Sequence, residues 1–374
     1  MLRAVWSYLV IGLSLLATPL AAEEFSLSNV SLNGYGNWYY ARTNENLYLG
    51  GNPDGSYRSA NAHLSLAAKV NDKLRVVTQV GWTDSETGSE SDFDYAFAEW
   101  LFSDRLSLRL GKAKMPFGIY SEIPFVGTLR PFLVLPQAAY GPIGFLGENY
   151  KGVALSGRFG TGFEAQWDLY GGGTELKEDI VPEDFLLGTP AGLGEEIETE
   201  VTRDVIGGRL VVETPLPGLS VGGSALTGRE VVEEDTRRRN VYGVQAEYTK
   251  EALSVRSEYM HEEVKDDLDS SGSYLEVSYR LTDHWQAAAE VGRLRISFFG
   301  VDPGGPAKNL TEHDESALGL NYWFESGLVV KLNYFWVDGN LYSHPAAAEL
   351  PAIMAAGTLH PRDHLWLAGA QFSF

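Results

Sequence analysis

The chain of 374 residues contains no cysteine, which excludes disulfide frameworks, thiol nucleophiles and thiolate metal sites. Basic residues are also few: 29 lysines and arginines stand against 50 acidic residues, and the net charge is −21. A chain this acidic is not expected to bind nucleic acid. After the first 22 residues, no hydrophobic run is long enough to form a membrane-spanning helix. If the protein is embedded in a membrane, it must therefore be a β-barrel.

The first 22 residues have the features of a secretory signal peptide. Arg3 precedes the apolar residues 5–16, and the small residues Ala21 and Ala22 are followed by two glutamates. This pattern predicts export, cleavage near Ala22 and a single mature domain over residues 23–374. A retained membrane anchor is the alternative interpretation, but the apolar segment is short for a membrane span.

Apolar and polar residues alternate along most of the chain, which is the pattern of β-strands with one apolar face. Residues 163–170, 328–336 and 366–374 are examples, and we find about sixteen such segments in all. Each has roughly nine to eleven residues, the length of a tilted strand that crosses a bilayer. The alternation slips after Gly292, where we expect a β-bulge.

The connections between these segments alternate in length. Short turns such as 71–73 and 103–105 are separated by long connections, which include 83–92, 112–149, 228–240 and 261–271. This order predicts tight turns on the periplasmic side and long loops outside, as in a bacterial outer-membrane barrel. Aromatic residues at the ends of apolar faces favour this interpretation over a soluble β protein. The predicted fold is therefore all-β, a transmembrane antiparallel barrel of about 16 strands.

Three parts of the sequence resemble outer-membrane porins. The terminal Phe374 is similar to the end signature of that class, which implies recognition by the barrel-assembly machinery. The stretches RLGKAKMPFGIYSE (109–122) and RPFLVLPQAAYG (130–141) resemble the region after the fifth strand in phosphate-selective-porin-like proteins. In that group a loop after the fifth strand folds into the lumen. The resemblance also implies a homotrimer.

The connection 112–149 is the longest and contains the apolar stretch IPFVGTLRPFLVLP. We expect it to fold inward as a constriction loop; an external cap and a subunit contact are the alternatives. The charged residues predicted at the constriction are Lys112, Lys114, Glu122, Arg130, Glu148 and Lys151. Those predicted on the lumen wall near mid-height are Arg109, Arg209, Arg256, Lys331, Glu99, Glu164, Glu247 and Glu258. Such charges would filter solutes, or would brace the barrel through salt bridges.

The predicted function is an outer-membrane porin, a passive diffusion channel for small hydrophilic solutes and ions, surrounded by lipid and lipopolysaccharide. The basic constriction predicts a preference for anions, whereas the acidic outer loop 174–200 predicts cation enrichment, so the selectivity stays open.

Catalysis and bound cofactors are not predicted by any motif in the chain. His360 and His364 flank a loop-to-strand junction, and residues 266–271 lack a complete calcium loop. We therefore expect neither an enzyme, nor a metal site, nor a cofactor. Two alternatives remain: a barrel plugged by its loops that has a structural or adhesive role, and an outer-membrane hydrolase.

Overall fold

The computed structural model is a closed barrel of sixteen antiparallel strands, in which each strand pairs with its neighbours in sequence and the first strand pairs with the last. It describes residues 29–85, 88–142, 145–161, 163–176, 200–232, 235–299, 308–324, 327–346 and 349–374. The predicted fold class and strand number are confirmed. The predicted signal peptide lies outside the described residues, as does most of the acidic loop 174–200.

The strands have the following bounds: β1 Val30–Thr43, β2 Ser56–Lys69, β3 Leu74–Ser85, β4 Gly88–Ser103, β5 Leu106–Lys114, β6 Asn149–Phe159, β7 Ala165–Leu176, β8 Glu200–Glu213, β9 Leu219–Val232, β10 Asp235–Lys250, β11 Leu253–Val264, β12 Leu268–Arg280, β13 Trp285–Phe298, β14 Glu312–Trp323, β15 Leu328–Asp338 and β16 Arg362–Ser373. Two short helices, Gln137–Tyr140 and Leu350–Ala356, lie in connections. Among the described residues, no helix has the length and apolar character needed to span a membrane.

The strand alternation sorts apolar side chains to the outside of the barrel and polar ones to the inside. On β15, Val330 and Leu332 are 44% and 45% exposed, whereas Lys331 and Asn333 between them are 1% and 0% exposed. A soluble barrel would bury the apolar set, because burial of apolar surface drives its folding. The exposed apolar belt is therefore the surface that faces lipid.

The last strand closes the barrel. The backbone N–H of Phe374 donates to the carbonyl oxygen of Gly34 at 2.9 Å, and the N–H of Gly34 donates back to Phe374 at 3.1 Å. These bonds extend the β1–β16 ladder to the final residue. The aromatic end of the chain is therefore part of the barrel seam.

Three connections that were predicted to be long are tight. β3 and β4 are separated only by residues 86–87, β9 and β10 by residues 233–234, and β11 and β12 by residues 265–267. The strands simply continue beyond the apolar belt. Charged and apolar residues are mixed there, as at Glu262, Glu263 and Val264, so the regular apolar alternation that reveals a strand is lost in the sequence.

The predicted bulge at Gly292 is wrong. β13 pairs with β12 and β14 in unbroken register, with Gly292 opposite Tyr274 and Glu315. Beyond Gly292 the side chains keep their phase but exchange polarity: the inward Leu294 and Ile296 are buried, and arginines point outward. In this part of the barrel the inward residues are apolar and the outward residues are polar. In the sequence this exchange looks the same as a shift of the alternation by one residue.

Candidate functional site

The connection between β5 and β6, residues 115–148, packs against inward-facing side chains of the barrel wall. On β15, the ammonium of Lys331 donates to the carbonyl oxygens of Gly127, Arg130 and Phe132 at 2.9, 2.6 and 3.2 Å. On the same strand, Asn333 accepts the backbone N–H of Leu133 at 2.8 Å. Residues 127–133 are thereby fixed to one side of the interior. We call residues 115–148 the inner segment.

The inner segment is also bonded to β11 and β12 through two buried glutamates. Glu258 accepts the backbone N–H of Ile119 at 2.8 Å and the hydroxyl of Tyr140 at 2.6 Å. Tyr120 donates its hydroxyl to Glu276 at 2.9 Å. Burial raises the pKa of both tyrosine hydroxyls well above the usual value, so they stay protonated and remain donors.

A third contact joins the inner segment to the strands near its own origin. The Glu122 carboxylate forms ion pairs with Arg109 of β5 at 3.4 Å and with Arg209 of β8 at 2.5 Å. Each arginine also binds a buried carboxylate of the wall: Arg109 binds Glu99, and Arg209 binds Asp168, both at 2.9 Å. Charges of alternating sign therefore run from β4 to β8 through the inner segment.

The inner segment reaches the wall opposite its origin. Its one-turn helix Gln137–Tyr140 contacts β12, β13 and β14, and β13 lies eight strands from β5 in the ring. Gly272 of β12 faces the carbonyl oxygen of Ala138 so closely that any side chain at this position would collide with it. These contacts favour the predicted inward fold over an external cap.

Two of the predicted constriction cations are buried in structural roles. Lys114 is 6% exposed and binds Asp94 at 2.6 Å and Glu148 at 2.9 Å. Arg130 is also 6% exposed and donates to the carbonyl oxygens of Phe132, Leu133 and Pro124. Burial lowers the pKa of Arg130 to about 10. Neither side chain presents its charge to open space, contrary to their predicted position.

Lys112, Glu148 and Lys151, three of the other predicted constriction residues, border a cavity of about 570 Å³ at the loop end of the barrel. Lys112 and Lys151 are direct partners in the β5–β6 register. Both border this cavity, together with Asp92, Glu148 and part of the inner segment. Lys112 donates to the carbonyl oxygen of Phe93 at 2.7 Å. Within the predicted set, Glu122 alone bridges the inner segment and two wall arginines.

The predicted wall residues face inward with one exception. The inward residues are Arg109, Arg209, Arg256, Lys331, Glu99, Glu247 and Glu258. The guanidinium of Arg256 binds Glu247 at 2.5 Å and Glu276 at 3.3 Å. Glu164 instead precedes the first residue of β7, is 54% exposed and lies 3.7 Å from Arg158. Its predicted position near mid-height is therefore wrong, because β7 begins later than the alternation indicated.

Asp94, Asp168 and Glu276 are functional candidates that the sequence interpretation missed. Each occupies an inward position and binds a basic side chain of the predicted set. The signal that would have revealed them is a pair of opposite charges at matching heights on neighbouring strands. Reading that signal requires the strand register, as in the direct pairing of Asp168 with Arg209.

No group of histidine, aspartate and glutamate side chains in the described ranges could hold a metal ion. His364 instead shares a hydrogen bond of 3.0 Å with the Tyr334 hydroxyl.

Known proteins match the chain both in sequence, through a family model, and in three-dimensional structure. The family described as phosphate-selective porin O and P matches residues 223–360, which extend from β9 into the connection after β15. OmpF of Salmonella typhi, solved with daunomycin, superposes with a TM-score of 0.58 at 12% identity and covers 92% of this chain and 97% of its own. The chain has the fold of an outer-membrane porin.

Two further porin-fold structures agree with this result. The outer-membrane channel DcaP of Acinetobacter baumannii gives a TM-score of 0.58 at 10% identity, with 94% and 100% of the two chains covered. The anion-selective porin of Comamonas acidovorans gives 0.55 at 10% identity, with 92% and 99% covered. A comparison with curated protein sequences found no match. The resemblance to outer-membrane porins is confirmed, and the porin fold indicates the bacterial outer membrane as its location.

Proposed function

We propose that this porin is a passive diffusion channel for small hydrophilic solutes and ions, and that it has no catalytic activity. The observation that carries the proposal is the polarity of the wall: an apolar outside alternates with a charged inside, and the inner segment is bonded to the charged side. A polar interior is what a water-filled path through the membrane requires.

The inner segment is the proposed sieve. It narrows the interior, because its contacts run from β8 through β12 and β13 to β15. Lys112, Glu122, Glu148 and Lys151 are the proposed contacts for solutes on this segment and its flanking strands. Lys114 and Arg130 are proposed to hold the segment in place.

The proposal also covers how the protein is exported, how it is assembled and what surrounds it. Residues 1–22 act as a cleaved signal peptide, residues 23–374 form the mature domain, and Phe374 is recognised by the barrel-assembly machinery. The outer face contacts lipid and lipopolysaccharide. A homotrimer is supported by the likeness to OmpT of Vibrio cholerae, whose structure is described as a trimer form and matches with a TM-score of 0.54 at 13% identity, covering 92% of this chain and 99% of its own.

Liposome swelling with uncharged sugars of increasing size tests the proposed function. We expect rapid swelling with small sugars and a sharp loss of rate as the sugar diameter increases. Protein-free liposomes and liposomes with heat-denatured protein are the controls. Folded protein that gives no swelling with any sugar would contradict the diffusion channel, and release of fatty acid from labelled phospholipid would point to a hydrolase.

A further inference from the structure

The cavity at the loop end of the barrel has two kinds of lining. Charged side chains come from β4, β5 and β6, whereas the half-buried Phe125, Leu135 and Leu146 come from the inner segment. The volume of about 570 Å³ lies within the range of sites that bind small organic molecules. An inorganic ion would use only the charged lining, so the cavity fits a molecule that is partly apolar.

Charges of both signs line the cavity. Asp94 and Glu148 share the ammonium group of Lys114, which is 2.6 and 2.9 Å from their carboxylate oxygens. The remaining charged groups of the lining are two carboxylates and two ammonium groups, from Glu90, Asp92, Lys112 and Lys151. A solute with a single charge is attracted by one set and repelled by the other. A zwitterion is attracted by both.

The two signs meet at Asp92 and Lys112. Their carboxylate oxygen and ammonium nitrogen lie 3.5 Å apart, and the Asp92 side chain is 70% exposed. Lys151 is the direct partner of Lys112 in the β5–β6 register, so both ammonium groups can reach one carboxylate. A molecule with adjacent ammonium and carboxylate groups, as in an α-amino acid, matches this arrangement. Because an exposed ion pair contributes little to stability, such a molecule can replace the contact at small cost.

Two buried polar atoms of the lining have no hydrogen-bond partner in the described structure. They are Oγ of Ser121 on the inner segment and Nε2 of His63 on β2, in side chains that are 8% and 6% exposed. A buried polar atom without a partner costs free energy. Both atoms are therefore available to a polar solute in the cavity.

We propose that this cavity binds small zwitterions with an apolar group, of the α-amino-acid class, on their passage through the barrel. Lys112 and Lys151 bind the carboxylate of the solute, and Asp92 binds its ammonium group. The apolar group contacts the half-buried side chains of the inner segment. This inference rests on the proposed channel function and adds a class of solute to it.

Isothermal titration calorimetry of the purified, folded protein in detergent micelles tests the site with four probes. L-phenylalanine has all the required groups, phenylacetate and phenethylamine keep the ring with one charge each, and glycine keeps both charges without a ring. We expect L-phenylalanine to bind roughly tenfold more tightly than each of the others, because each lacks one contact. Empty micelles control for uptake of the ring by detergent. Equal affinity for any other probe, or binding of none, overturns the inference.

Charge-removing variants test which residues form the site. Lys151→Gln and Asp92→Asn should each weaken the binding of L-phenylalanine by roughly tenfold. Lys265→Gln and Asp72→Asn remove the same charges from turn residues that are 71% and 95% exposed, and they should leave the affinity unchanged. Heat-modifiable mobility shows that each variant is folded. Folded site variants that bind as tightly as the wild type, or that lose no more affinity than the controls, overturn the assignment.

Failure of the inference can be distinguished from failure of the proposed function. A protein that permits liposome swelling with small sugars but does not discriminate among the four probes overturns the inference and leaves the channel function intact. A folded protein that permits no swelling contradicts the diffusion channel, and with it the role of the cavity in solute passage.

Discussion

Tyr120→Phe should loosen the inner segment without disturbing the barrel. Its buried hydroxyl donates to Glu276 at 2.9 Å and accepts from Arg256 at 2.9 Å. The substitution removes one oxygen and leaves the packed ring in place, so no cavity of note forms. Hydrogen bonds to charged groups are each worth about 1.5–3 kcal/mol, and Glu276 keeps Arg256 as a partner at 3.3 Å. We expect the local stability of the segment to fall by about 2 kcal/mol.

Hydrogen–deuterium exchange followed by mass spectrometry measures this change directly. A loss of about 2 kcal/mol raises the exchange rate of amides that open locally by roughly thirtyfold. The increase should be confined to peptides from residues 115–142, while the strand ladders keep their protection. Tyr279→Phe, which changes a hydroxyl on the outer face, is the matched control. Unchanged exchange in residues 115–142, or an equal increase in the strands, would refute the account of how the segment is held.

Three further substitutions test other contacts. Gly272→Val places a side chain against the carbonyl oxygen of Ala138, so it should displace the one-turn helix and raise single-channel conductance; wild-type conductance in a folded variant would contradict this contact. Arg239→Met leaves two buried glutamates without their arginine and should cost about 3–5 kcal/mol in urea unfolding, whereas Arg362→Met, at a side chain 83% exposed, should change stability by less than about 0.5 kcal/mol. Phe374→Ser should lower the yield of barrel in the outer membrane, measured as heat-modifiable protein, and an unchanged yield would exclude the proposed recognition.

The barrel could be predicted because its surroundings impose a simple rule on the sequence. Lipid requires apolar residues at every second position, as at Val330 and Leu332, and the rule repeats in each strand. Beyond the apolar belt the rule no longer applies. The short connection between β9 and β10 was therefore predicted to be a long loop, and the exchange of polarity after Gly292 was predicted to be a bulge.

The site was predictable in part, because the sequence shows which charged residues occupy the inward-facing positions of the strands. Arg109, Arg209 and Glu122 were all identified, but their meeting point depends on how the inner segment folds back across the strands. The same dependence explains Arg130, whose guanidinium binds carbonyl oxygens of its own segment. The sequence alone gives the sign of each charge. Which residue pairs with each charged side chain depends on the alignment of neighbouring strands and on how the inner segment packs against them.

Single-channel conductance of the purified wild-type protein in a planar lipid bilayer tests the central claim most directly. The account predicts stepwise current increases of uniform size that scale with salt concentration, as expected for a water-filled path past the inner segment. Folded, heat-modifiable protein that inserts into the bilayer but passes no current would contradict the account and would favour a barrel closed by its own loops.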